Sequence, residues 1–229
     1  MNAKNLLLLA SLAFAMPMTA QTPQEDFKRD ITLSGSNYVA YRGPQKQLTP
    51  APKGYKPFYL SHYGRHGSRF MIGKKAYDVP YFSLLKAKQE GKLTAKGEET
   101  LAKVKMIREE AKGRDGELTP LGALQHQGIT RRMMERFPEI FAGNANIEAR
   151  STLVIRCILS MENGLHQMLR MNPKLHIFHD ASDHDMYYMN QGDRYLDSLK
   201  HSVGRRVVSE DVARKHACYR RVMQELFTD

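Results

Sequence analysis

Pro57-Phe58-Tyr59-Leu60-Ser61-His62-Tyr63-Gly64-Arg65-His66-Gly67-Ser68-Arg69 changes character halfway along. Its first half is aromatic and apolar, with a proline at the first position, where a strand tolerates one. The spacing predicts a buried β-strand over residues 57–63. From Gly64 the run becomes a tight loop, turning at Gly67 and carrying two guanidinium groups around one imidazole. Such a strand delivers its loop to the carboxyl edge of a sheet, where open α/β folds gather ligands. Guanidinium is planar, permanently charged and able to hold two phosphate oxygens at once, so Arg65 and Arg69 suit a phosphate better than lysine would. His66 lies between these cations, which disfavours imidazolium and keeps one ring nitrogen free to act as a nucleophile. Attack on phosphorus gives a phosphohistidine, and positive charge around the equatorial oxygens is most of what that step asks of a protein.

Outward from this loop the pattern alternates. Helices are predicted over residues 80–90, 94–112 and 119–137, the last with Thr119 as N-cap and Pro120 as first helical residue. A strand over 147–149, an apolar helix over 151–170 and a strand over 175–178, closed by His179-Asp180, follow. Helices over 193–200 and 209–227 complete the chain. Strands alternating with helices indicate an α/β fold with a mainly parallel sheet.

The 229 residues carry a formal charge of +11 and a pI near 9.6, enough chain for one main domain. Basicity points to an anionic partner. With 9% aromatic residues, no tryptophan and no recognised binding motif, nucleic acid is not that partner. Lys4, the apolar run 6–16 and the small or polar residues around Ala20 read as a secretory signal over residues 1–20, which implies a secreted or periplasmic protein. No later segment reaches transmembrane length. Residues 21–56, punctuated by glycine and proline, read as an extended lead-in. Cys157 and Cys218 read as free thiols within helices. His62, His126, His166 and His176 lack metal-ligand spacing, so neither metal nor cofactor is expected. The lysines from Lys74 to Lys105 and Arg108 fit either a funnel for a polyanion or a solvated face.

Arg65-His66-Gly67-Ser68-Arg69 resembles the signature of the histidine acid phosphatases, the second branch of the histidine phosphatase superfamily. Leu118-Thr119-Pro120-Leu121-Gly122-Ala123-Leu124-Gln125 resembles that family's Leu-Thr-x-x-Gly-x-x-Gln helix start. Arg150-Ser151-Thr152-Leu153-Val154-Ile155-Arg156 is similar to its Arg-Ser-Thr segment, and Ala181-Ser182-Asp183-His184-Asp185-Met186 to a stretch of multiple inositol polyphosphate phosphatases. The resemblance implies a phosphoglycerate-mutase-like layered sheet with flanking helices, a partial core over 57–190 and the start of a helical insert over 191–229. It adds Arg156 to the phosphate clamp, while Lys74 lies where it could reach a further substrate phosphate. It implies phosphomonoester hydrolysis through phospho-His66, with inositol polyphosphate the preferred substrate, and a less selective acid phosphatase or a non-catalytic phosphate-binding remnant as alternatives. The family's late His-Asp or His-Ala-Glu proton donor has no counterpart at the expected distance after Arg156. Asp180 and Asp185 are the candidates that remain. The chain reads as an amino-terminal half lacking its later strands, and the exposed sheet edge implies self-association.

Overall fold

Threonine side chains, Thr22, Thr94 and Thr119, cap three of the helix starts among the described residues. The computed structural model describes residues 22–41, 43–44, 49–189, 194–201, 203–217 and 219–228, divided into two units, Met1–Gln45 and Lys46–Asp229. The expected signal of residues 1–20 and Cys218 lie outside the described residues, and Cys157 is a half-buried free thiol.

In the first unit, helix α1 (Pro23–Arg29) is followed by a 3-10 helix (Ile31–Tyr38). The extended lead-in expected over 21–56 is therefore partly helical. The reason is local: the Thr22 hydroxyl accepts from the Glu25 amide while the Glu25 carboxylate accepts from the Thr22 amide, a reciprocal capping box.

The second unit contains α2 (Lys75–Gln89), α3 (Ala95–Glu110), α4 (Pro120–Arg136), β1 (Asn146–Ser151), α5 (Ile155–Met171), β2 (His176–Ala181), α6 (Met186–Met189), α7 (Arg194–Lys200), α8 (Val203–His216) and α9 (Tyr219–Leu226). Helix α4 begins as its sequence dictates, with Thr119 capping the Gly122 amide and Pro120 in the first turn. Helix α2 starts five residues earlier than expected and carries Pro80 inside it, because the Gly73 and Lys74 carbonyls already hold the amides of its first turn. The helix expected over 209–227 is two helices, α8 and α9, with a break near Ala217.

Strands β1 and β2 pair in parallel, from Asn146 opposite His176 to Ser151 opposite Ala181, with α5 as the crossover. Both run further than the sequence indicates. Ser151 belongs to β1 rather than to α5, and His179-Asp180 continue β2 instead of ending it. The predicted strand over residues 57–63 is not formed. Its backbone makes no ladder hydrogen bond among the described residues, and Phe58 is 94% exposed. Strand propensity reflects the fit to a pleated, half-covered surface, and β1 and β2 pair with each other rather than with this segment. In place of the expected three-stranded layered sheet, the described residues form a mixed helical architecture around one small two-stranded parallel sheet.

The core lies between α4, α5 and that sheet. Met134, Phe141, Leu165, Met168 and Leu175 are buried together, with Leu60, Ile147, Ala149 and Ile177 packed around them. Burying side chains of this kind stabilises by about 1.5–3 kcal/mol each. Helices α4 and α5 approach closely at Gly164, where an added Cβ would stand 3.0 Å from the Thr130 hydroxyl, and Gln127 donates to Asn163 at 2.9 Å beside it. This helix pair fixes where residues 65–69 sit.

Candidate phosphate site

The loop is held by its neighbours one hydrogen bond at a time. The Ser68 carbonyl accepts from both the amide and the hydroxyl of Thr119, each at 2.9 Å, so the residue that caps α4 also anchors the loop. Gln125, one turn further along α4, accepts from the Ser68 amide at 2.8 Å. Downstream, Arg69 bridges Leu118 in antiparallel fashion, the Phe70 amide donates to the Glu117 carbonyl, and the Gly116 amide donates to the Met71 carbonyl. On the other side, Ser160 of α5 donates to the Arg156 carbonyl at 2.7 Å and accepts from the Gly67 amide at 3.1 Å.

Gly67 is required by this packing rather than by a ligand. A Cβ there would meet the Gly122 carbonyl oxygen at 2.3 Å, and a Cβ at Gly122 would meet the Ser68 carbonyl oxygen at 2.3 Å. Two backbones touch where side chains have no room. The amides of Gly67 and Ser68 are taken by Ser160 and Gln125. The side chains of the loop are left to meet an anion.

His66 is half-buried and its Nδ1 lies 2.8 Å from the Gly67 carbonyl. A carbonyl can only accept, so this bond assigns the proton to Nδ1 and leaves the lone pair of the neutral ring on Nε2. Burial holds the His66 pKa below its ordinary value against the opposing Gly67 bond, and the charges of Arg156, Arg65 and Arg69 lower it further. Three guanidinium groups from two distant stretches of sequence therefore converge on one imidazole.

Arg156 occupies the first turn of α5, which Val154 leaves without a side-chain cap. A cation there opposes the helix dipole. Its Nη1 makes a long contact of 3.4 Å to the Gly116 carbonyl, and its Nε is buried without a hydrogen-bond partner among the described residues. No carboxylate pairs with Arg65 or Arg156 among the described residues, so a structural salt bridge does not account for the half-buried Arg156. Arg69 donates to the Phe70 carbonyl at 2.8 Å.

The other expected site residues lie apart from this cluster. Lys74 is exposed at the start of α2 and lines a cleft of about 290 Å³ with Tyr77, Asp78, Arg108 and Lys112. Asp180 is exposed on β2, opposite Arg150. Asp185 is buried, accepts from Arg150 at 2.9 Å and lies 3.1 Å from His184. The His184 bond leads in holding its carboxyl below the usual range, with Arg150 adding to it. A general acid must hold its proton until the leaving group departs, so a carboxylate stabilised in this way is unsuited to the role. Of the basic residues between Lys74 and Arg108, Lys86, Lys88, Lys92, Lys103 and Arg108 are paired with acidic neighbours, a solvated face rather than a funnel.

One of the histidines that lack metal-ligand spacing, His126, lies at this site. His126 follows Gln125 on α4, and its Nε2 lies 3.1 Å from the Arg65 carbonyl. Burial leads in lowering its pKa, and the nearby His62 and His66 add to that. The signal of His126 in the sequence is positional: it stands four residues after Gly122, on the helix face that Gly122 turns to the loop.

No protein-family model and no curated protein matches this sequence. Among solved structures it is similar to the multiple inositol polyphosphate phosphatase of Bifidobacterium longum. The phosphate complex matches with a TM-score of 0.62 at 19% identity over 83% of this chain and 47% of that one. The inositol hexasulfate complex gives 0.60 at 19% over 83% and 48%, and the apo form 0.62 at 19% over 83% and 46%. The likeness establishes a shared fold, and the chain spans about half the length of the structures it matches.

Proposed function

We propose that this chain belongs to a phosphomonoesterase of the histidine acid phosphatase type, acting outside the cytoplasm on inositol polyphosphates through a phosphohistidine. The observation that carries the reading is the convergence of Arg65, Arg69 and Arg156 on a His66 whose Nδ1 is engaged and whose Nε2 is left as the free ring nitrogen. In the proposed reaction the Nε2 lone pair attacks phosphorus as the ester P–O bond breaks, and the guanidinium groups neutralise charge on the equatorial oxygens. The departing alkoxide takes a proton from water, and a water molecule then hydrolyses the phosphohistidine to release phosphate and restore the imidazole. The shared fold with an inositol polyphosphate phosphatase supports the substrate class, and the net positive charge is compatible with it. Less selective phosphomonoester hydrolysis is the nearest variant of this reading.

A second reading, phosphate binding without turnover, is favoured by one observation: among the described residues Asp180 makes no hydrogen bond to His66, and Asp185 is committed to Arg150 and His184. Release of phosphate from inositol hexakisphosphate and from an aryl phosphate at mildly acidic pH, by this chain and by His66→Ala, separates the two. His66-dependent release supports the enzyme. Saturable phosphate binding without release supports the binder, and neither activity rejects both.

A further inference from the structure

His126 sits where the loop has least support. Between residues 56 and 66 the main chain makes a single hydrogen bond among the described residues, the Arg65 carbonyl accepting from Nε2 of His126 at 3.1 Å. Upstream of it Phe58, Tyr59 and Tyr63 are largely exposed, and Leu60 alone of this segment packs on the core. Downstream, by contrast, Thr119, Gln125 and Ser160 all bind Gly67 or Ser68. The peptide between Arg65 and His66 is thus fixed on its amino-terminal side by one imidazole. A carbonyl accepts, so Nε2 of His126 must carry the proton, the form that is kept neutral by burial and by the neighbouring histidines.

We propose that His126 is a positioning residue: its Nε2–H, held on the rigid helix α4, fixes the Arg65 carbonyl and with it the directions in which the Arg65 guanidinium and the His66 ring leave the backbone. Small losses of alignment at such a site reduce rate far more than they reduce stability. The inference rests on the phosphate-site reading of this loop and goes beyond it by assigning a residue that the signature motifs do not include.

The test compares His126→Gln, whose side-chain amide can donate from nearly the same point, with His126→Leu, which fills the space without a donor, and His126→Asn, which is polar but too short to reach. Inorganic phosphate binding by calorimetry and aryl phosphate turnover are both measured, with thermal melting to establish folding. Leu and Asn are expected to weaken phosphate binding and turnover by roughly tenfold, the loss of one aligned hydrogen bond, and Gln to stay within about threefold of wild type. If Leu does not fold, Asn carries the comparison. Wild-type behaviour in a folded Leu or Asn variant overturns the proposal, as does a folded Gln variant no better than Leu. A wild-type chain that binds phosphate but hydrolyses nothing, with binding weakened in Asn and kept in Gln, rejects the hydrolytic reading and leaves the positioning role standing.

Discussion

At the scale of single residues, the proposed chemistry is concentrated in His66 and its three arginines. Because burial and these cations lower the His66 pKa, the ring should be neutral to a lower pH than a free histidine, whose ordinary value is 6.5. Titration of the His66 ring by NMR is expected to show a midpoint below that value, and Arg156→Gln, by removing the leading charge in its lowering, to move the midpoint up. A midpoint that falls in the variant would contradict the placement of Arg156 beside the ring. Asp185 gives the opposite sign. Its depressed pKa means that pairing with Arg150 and His184 stabilises the fold above the ordinary carboxylate range and is lost as pH falls through the folded value. Asp185→Asn should therefore lower the melting temperature near neutrality, with the gap to wild type closing in acid, and leave any phosphate release at the wild-type rate. A release that collapses in the folded variant would restore Asp185 as a proton donor. Arg65, His66 and Arg69 stood out in the sequence because guanidinium and imidazole in this order have few structural uses, whereas Arg156 entered only through the family resemblance. His126 and Ser160 were not legible there, since a hydrogen bond from a helix to a loop more than sixty residues away leaves no local pattern.

Elements show a different balance. Helices α3 and α4 follow their threonine caps almost to the residue, because caps act within one turn. The segment before the loop is the clearest divergence: its aromatic run has strand character, but no described strand pairs with it, so Phe58 and Tyr59 face solvent. The contact between the loop and the first turn of α4 yields a sharp expectation. Gly67→Ala would drive a Cβ into the backbone of Gly122 and should destabilise by about 1–3 kcal/mol in urea unfolding. Gly73→Ala, with nothing within 4 Å of its added methyl, should change stability by less than about 0.5 kcal/mol. Equal effects at the two positions would mean that the close approach is absent in solution. Thr119→Ala removes both the cap on Gly122 and one of the two donors to Ser68. Its cost should reach about 1–2 kcal/mol, accompanied by weaker phosphate binding.

The molecule as a whole leaves much apolar surface in water. Phe58, Tyr63, Phe178 and Tyr187 are each at least two-thirds exposed, and a two-stranded sheet presents a hydrogen-bonding edge on either side among the described residues. Such edges pair with other chains unless covered. Sedimentation across a range of concentrations is expected to show reversible association, and a heat-stable monomer at high concentration would count against it. Charge acts at the same scale. With a net charge of +11, association with a phosphorylated ligand should slow as salt rises, measurable as a fall in on-rate with ionic strength.

One contact ties the loop to synthesis of the chain. The Gly67 amide closes on Ser160, 93 residues further along, and Ser68 closes on Gln125, 57 residues along. On a ribosome adding about 5–20 residues per second, the signature pentapeptide emerges several seconds before the last of its supports exists. During that interval the arginines and the imidazole hang on an unbraced segment, and closing so long a loop is among the slower steps a small domain takes. The proposed phosphate affinity would thus be a late acquisition of the nascent chain: a polypeptide released before Ser160 has emerged carries every residue of the pentapeptide without the geometry that gathers them.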